Sequence, residues 1–217
     1  MKVAILGAGA GGAAAVAELS LAGHEVALWN RSLDTLAPFH ALGGVAYEGV
    51  LGAGVAVPRL ITGDIGAAIA GADVAVVALP TFSHVAVARA LAEAGWRVDR
   101  PIVLNPGHTG GALAFAHAYR GVRADVPPIA EFSTLTYVAR KYRPDRVSVS
   151  GRAKQVRAAA LPGGRAALDV ACRLFPGAQP VADVLAADLA NANLVLHPPG
   201  AVLGAAWVEA TGGNFTF

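Results

Sequence analysis

A glycine run, Gly7-Ala8-Gly9-Ala10-Gly11-Gly12, stands between the apolar stretch Lys2 to Leu6 and an alanine-rich segment, and it restricts the fold more than any other feature of the chain. The first stretch is rich in β-formers and reads as a buried parallel strand. The alanines predict a helix from about Ala10 to Ala22, which Gly23 ends as a left-handed cap. Gly7, Gly9 and Gly12 satisfy the spacing G-x-G-x-x-G. Gly7 permits a tight turn, Gly9 lets backbone approach a pyrophosphate, and Gly12 lets the helix pack closely on the strand. The helix start adds free N–H groups and a partial positive charge for phosphates. In an alanine- and glycine-rich chain the spacing alone is weak, and its alternative is a glycine turn without a ligand. A strand before it, a helix after it and a second strand at Glu25 to Trp29 supply the context that favours the ligand.

The alternation continues. Asn30 and Ser32 stand where a helix N-cap is wanted, before a helix from Leu33 to Leu42. Val45 to Ile61 reads as irregular strands or a hairpin. Asp64 caps a short helix from Ile65, and Asp73 to Leu79 is a strand closed by Pro80. Ser83 is expected to cap a helix reaching about Ala94. Pro101 to Leu104 is a strand, and the glycine-rich Asn105 to Gly111 leads into another helix. This pattern predicts an α/β fold, a Rossmann-type doubly wound parallel sheet. After Pro127 the rhythm changes to shorter strands at Ile129 to Phe132, Thr136 to Lys141 and Arg146 to Ser150. Gly163-Gly164 opens a helix to about Phe175. The tail from Asp183 to Ala210 reads as mostly helical, broken at Pro198-Pro199.

Composition excludes several classes. A net charge of +2 over 217 residues is far from a nucleic-acid binder's excess. The basic cluster Arg140, Lys141, Arg143 and Arg146 has no aromatic platform beside it, and Arg143 and Arg146 read as a solvated strand face. The lone cysteine, Cys172, rules out an intrachain disulfide and argues against a zinc cluster, so no metal site is expected. A reducing, cytoplasmic setting is the natural expectation. Charged residues, histidines or glycines interrupt every apolar stretch, so no membrane span is expected. Lys2 and the apolar run after it faintly resemble a signal peptide, but the glycines from Gly7 break the helix that such a peptide needs.

The end of the second strand selects the nucleotide. An acidic residue there bonds the ribose of NAD, whereas this chain has Asn30-Arg31-Ser32. No carboxylate repels a 2′-phosphate, and Arg31 can pair with one. NADP is therefore favoured over NAD. The alternative is that Arg31 is a solvated surface residue. Ligands of open α/β sheets bind beyond the carboxyl ends of strands. That places Leu79, Pro80 and Thr81 near the nicotinamide end, with Asn105, Pro106 and Gly107. For Thr81 and Asn105 ordinary turn chemistry is an equal alternative. His84 can approach the cofactor, although a packing role at a helix start suits it better. Glu131, Thr134, Tyr137 and Arg140 are polar residues beside a strand end, suited to a substrate carboxylate or a ribose; a solvated strand face is the plainer alternative.

The most informative late segment is Asn191-Ala-Asn193-Leu-Val-Leu-His197-Pro198-Pro199-Gly200. Two asparagines in an apolar helix need partners. His197, taken alone, reads as a packed histidine. Four patterns together change that reading: Gly7-x-Gly9-x-x-Gly12, Asn105-Pro-Gly with Thr109-Gly-Gly111, Glu131-x-x-Thr134-x-x-Tyr137-x-x-Arg140, and Asn191-x-Asn193-x-x-x-His197-Pro198. With them the whole chain resembles the front part of the octopine/nopaline (opine) dehydrogenase family. The first pattern is common to many enzymes; the combination of the others is far more specific.

The resemblance implies a dinucleotide-binding domain, here 1–182, followed by the start of a helical substrate and dimerisation domain, 183–217. It implies NAD(P)H-dependent reductive condensation of an amino acid with a 2-oxo acid. Thr134, Tyr137, Arg140 and Asn193 are the expected substrate residues, and His197 the catalytic residue that polarises the reacting group and handles a proton. The family's histidine works with an aspartate further along, expected beyond Phe217. An apolar tail favours association, so a homo-oligomer, a dimer in the family's manner, is expected. Gly204 stands where the family pattern has asparagine. A ketopantoate-reductase-like or hydroxy-acid dehydrogenase shares the opening motif but places a lysine in the later helices. The lysines here are Lys2, Lys141 and Lys154, none in such a helix. A non-catalytic NADP(H)-binding module needing a partner is the alternative from another class.

Overall fold

The computed structural model describes residues 1–214, the side chain of Leu194 excepted, so the last three residues of the 183–217 segment lie outside the described residues. Strand β1 (Lys2–Leu6) leads through the glycine corner into helix α1 (Ala10–Leu21), then β2 (Glu25–Trp29) and α2 (Leu33–Leu42). The chain continues with β3 (Val45–Gly49), β4 (Gly54–Ala56), β5 (Leu60–Thr62), α3 (Ile65–Ile69) and β6 (Val74–Val77). A 3-10 turn at Thr81–Ser83 precedes α4 (His84–Glu93), then β7 (Ile102–Leu104), α5 (Gly111–Arg120) and β8 (Ile129–Phe132). Next come β9 (Tyr137–Arg143), β10 (Arg146–Arg152), β11 (Val156–Ala160), α6 (Arg165–Leu174) and β12 (Ala178–Pro180). Three helices close the described chain: α7 (Val184–Asp188), α8 (Asn193–Leu203) and α9 (Ala205–Ala210).

The main sheet has the order β12-β11-β8-β7-β6-β1-β2-β5. From β5 to β8 every pairing is parallel, and β11 joins β8 antiparallel. The chain grows outward from β1 to β2 and β5, then returns to β6 and grows the other way. Strand order thus reverses between β1 and β6, the switch point where a doubly wound sheet opens its ligand crevice. Two apolar clusters cover the faces. One gathers α1, α2 and α6; the other gathers α3, α4, α5 and α7.

A second sheet, of order β4-β3-β10-β9, lies over α1. Helix α1 is thus held between two sheets, and its Ala13, Ala14, Ala15, Val16, Ala17 and Leu19 are all buried. That explains a helix with no polar face: an element covered all round reads apolar all round, and alanine lets both sheets approach. The hairpin expected within Val45 to Ile61 is β3 and β4, while β5 leaves it to edge the main sheet. Strands β11 and β12 are additional to those expected. Val156-Arg-Ala-Ala-Ala160 has little β-branching, and its strand state follows from the open edge of β8 rather than from propensity.

Two local expectations are corrected. Ser83 does not cap α4 through its side chain, because φ −89° and ψ −13° keep it helical and it belongs to the preceding turn. The tail is not broken at Pro198-Pro199: α8 runs through both prolines to Leu203, and Gly204 separates it from α9. A proline ring fixes φ near the helical value, while it removes its own N–H and crowds the carbonyl four residues back. No described side chain of α8 or α9 is buried, so water can satisfy the carbonyls left without donors. Among the described residues no helix is long and apolar enough to cross a membrane.

Candidate functional site

The three motif glycines at the end of β1 meet three different surroundings. Gly7 has φ +120°, and a Cβ there would lie 2.6 Å from the Ala78 carbonyl oxygen. At Gly12 a Cβ would overlap the Gly7 carbonyl, so glycine alone lets α1 lie this close to its strand. Gly9 is the reverse: nothing lies within 4 Å of a Cβ built there. Gly9 is also the N-cap of α1 and offers no side-chain bond to the first amides. Open space beside uncapped, partially positive N–H groups fits the diphosphate of a dinucleotide. Ala10 opens the helix, and Leu135 from the β8–β9 connection covers Gly11.

The neighbouring turn after β2 is held by its own polar groups. The Ala8 N–H donates to Asn30 Oδ1 at 3.1 Å, and Asn30 Nδ2 donates to the Ser32 carbonyl at 3.2 Å. Ser32 Oγ accepts the Thr35 N–H and so caps α2. Asn30 and Ser32 therefore set the corner, while the exposed Arg31 makes no hydrogen bond or ion pair among the described residues. A cavity of about 300 Å³ opens here, with Trp29, Arg31, Leu79, Ser83 and Ala90 in its lining. Larger hollows of about 500 and 600 Å³ lie behind α1, beside Glu18 and Arg152, and at the start of β8, beside Pro127 and Pro128. Neither adjoins the switch point, where sheets of this kind take their ligands.

Three strand-end loops are knitted together at the other side of the crevice. Thr81 Oγ1 donates to the His108 carbonyl, the Gly107 N–H donates to the Phe132 carbonyl at 3.0 Å, and His108 Nδ1 meets the Ser133 carbonyl at 3.0 Å. Asn105 is buried. Its Nδ2 donates to Thr136 Oγ1 at 2.9 Å, and its Oδ1 accepts the Thr136 N–H at 3.1 Å. The structure thus corrects Asn105 from a cofactor contact to a strut: both ends of its amide are engaged inside the protein. Pro106 and Gly107 continue the same loop, and Leu79 and Pro80 the adjacent one.

His84 is fully buried, and its Nε2–H donates to the Leu79 carbonyl at 3.2 Å. Burial holds its imidazole below the ordinary histidine range. The ring packs edge-on to Phe115 at 6.3 Å, which is the packing role that suited it best in the sequence. Glu131 is fully buried beneath the same loop and accepts the Ala112 N–H at 2.8 Å. Burial first, and then the nearby Asp188 charge, push its carboxyl up to about 8. Asp188 itself was not singled out from the sequence. Its signal was there: a lone acid within the apolar run Val184-Leu-Ala-Ala-Asp188-Leu-Ala.

The late segment reaches this region. Asn193 Nδ2 donates to Thr134 Oγ1 at 3.0 Å, so two expected substrate residues meet across 59 positions of sequence. Asn191 Oδ1 accepts the Asn193 N–H at 3.2 Å. His197 lies four residues further along α8, on the same helix face as Asn193. Tyr137 is corrected. Its ring is in the core, packed edge-on to Phe175 at 6.3 Å, and its hydroxyl donates to Glu18 at 2.7 Å, away from Thr134 and Asn193. Alternation along β9 turns Tyr137 inward and leaves Arg140 outside, where its guanidinium bonds the Ala139 carbonyl. Among the described residues there is no group of three or more histidine, cysteine, aspartate or glutamate side chains able to hold a metal ion.

A family profile described as Ketopantoate reductase PanE/ApbA matches residues 3–97, which carry the glycine corner and the 300 Å³ cavity's lining. The chain is also 35% identical, over 209 residues, to a protein named opine dehydrogenase from Arthrobacter sp. (strain 1C). The chain is thus similar to an opine dehydrogenase along nearly its whole length. The match takes in 95% of this chain and 58% of the Arthrobacter protein, so the chain spans a little over half of that relative's length. Solved structures agree on the fold. Octopine dehydrogenase in complex with NADH and agmatine superposes with a TM-score of 0.77 at 22% identity, covering 95% of this chain and 55% of that one. Yersinopine dehydrogenase with NADP+ bound gives 0.74 at 16% identity, covering 93% and 52%.

Proposed function

We propose that this chain is the nucleotide-binding part of an NADP(H)-dependent oxidoreductase of the opine dehydrogenase kind, which joins the amine of an amino acid to a 2-oxo acid. The observation that carries it is the open space at Gly9 beside the uncapped start of α1. Gly7 to Gly12 hold the diphosphate, Asn30 and Ser32 fix the turn, and Arg31 pairs with a ribose 2′-phosphate. NADH serves less well for want of an acidic ribose partner. A bound reduced nicotinamide would supply hydride chemistry at this site. Leu79, Thr81, Pro106 and Gly107 shape the pocket where that ring would lie. Thr134 and Asn193, already paired, orient the substrate, with Arg140 as a further carboxylate partner. His197 exchanges a proton with the reacting nitrogen. In this reading the chain works in the cytoplasm as a homo-oligomer. The chain has no lysine in its later helices, which favours this chemistry over a ketopantoate-reductase type.

Fluorescence titration with NADPH and NADH tests the reading. NADPH is expected to bind saturably and more tightly than NADH, and Arg31→Ala to erase most of that difference, roughly tenfold or about 1.4 kcal/mol. Absence of saturable binding by either nucleotide rejects it. With an amino acid, pyruvate and NADPH, His197→Ala is expected to abolish turnover; unchanged turnover removes His197 from the mechanism.

A further inference from the structure

We propose that Glu131 and Asp188 share one proton across the start of α5, and that this acid pair clasps the 105–111 loop to α7. The clasp fixes the floor of the candidate site to the element from which the 191–197 segment departs.

The geometry is specific. Glu131, at the end of β8, lies so close beneath Gly107 that any Cβ at 107 would overlap it. Its Oε2 accepts the Ala112 N–H at 2.8 Å, and Asp188 Oδ2 accepts the Gly110 N–H at 2.7 Å. Both residues are at least nine-tenths buried, and each has one oxygen, Glu131 Oε1 and Asp188 Oδ1, buried without a partner. Two bare carboxylates in one dry place would both be desolvated and would repel each other. One proton resolves this. Held on Glu131, it makes a donor of one orphaned oxygen for the other, in a short charge-assisted bond.

Among the described residues the charge that acts on Glu131 is that of Asp188. From α4, His84 brings its Nδ1, buried without a hydrogen-bond partner, close to Gly111, and burial holds its imidazole below the ordinary histidine range. From the loop, the His108 ring is engaged by the Ser133 carbonyl. The flanking strands place Leu104 of β7 and Ala159 of β11 opposite Glu131. The first turn of α5 contributes only Gly111, Ala112 and Leu113. Glu131's carboxyl rises to about 8 in this setting. A folded value above the ordinary 4.5 means that the stabilising contribution is full below 4.5 and is lost as pH rises from there through about 8.

Amide NMR on the nucleotide-free protein tests this independently of cofactor binding, so its failure and that of the proposed function are distinguishable. From about pH 6 to about pH 10 the Gly110 and Ala112 amides are expected to shift together in one step near pH 8. Glu131→Gln, which mimics the protonated acid, is expected to remove the step. It should also flatten the decline of Tm between 4.5 and 8. Asp188→Asn, retaining the fold but not the charge, is expected to lower the midpoint. The proposal is overturned by no step in the native chain, by different midpoints at the two amides, or by an unmoved midpoint in Asp188→Asn. A step that persists in a folded Glu131→Gln also overturns it.

Discussion

Two glycine-rich corners follow parallel strands of one sheet, and they treat their backbone amides in opposite ways. After β1, residues 7–12 leave the start of α1 uncapped and the space at Gly9 open. After β7, residues 105–111 lead to an α5 whose first amides are already taken, Gly110 by Asp188 and Ala112 by Glu131. The first corner is ready for an external anion; the second has supplied its own. Glycine content does not tell them apart. What does is whether a carboxylate from elsewhere in the chain ends beneath the turn.

Substitutions can break or sharpen this contrast. The largest effect is expected from Gly12→Val, which pushes α1 off β1 and lowers stability by about 4 kcal/mol or more, measured by urea unfolding; a native-like midpoint would refute the close approach. Asn105→Ala comes next. It removes the amide that serves both the Thr136 N–H and Oγ1 in a buried position and is expected to cost about 2 kcal/mol by the same measurement. Alanine at the two caps gives the smallest and most telling pair. Gly9→Ala is expected to leave stability within about 0.5 kcal/mol while weakening NADPH binding roughly tenfold. Gly110→Ala, at φ +72°, is expected to lower stability by about 1 kcal/mol and leave binding nearly unchanged. Reversed results would mean that the corners have been assigned the wrong way round.

The sequence disclosed those parts of the fold that local chemistry decides. Lys2 to Leu6, Ser32 capping α2 and Asp64 capping α3 follow from residue type and spacing. Strands β11 and β12 did not, because their state comes from partners on the sheet edge. The second sheet over α1 was equally hidden, since β3 and β10 pair across about a hundred residues. In the candidate site the glycine corner was legible; Thr134 and Asn193 stood out in two separate patterns, but the bond between them, 59 residues apart, did not. Tyr137 was misplaced because a polar aromatic in a strand can face either side, and burial against Phe175 decided it. Asp188 went unnoticed because its partner amide lies 78 residues away.

The enclosure of α1 reaches beyond stability. A helix gripped on both flanks cannot retreat or swivel when a ligand arrives, so the amides at its tip keep their aim in the empty protein. Little ordering entropy then remains to be lost on association. Nucleotide capture at this end should resemble docking onto a fixed tooth, with any closing motion confined to the exposed α8 and α9 on the far rim.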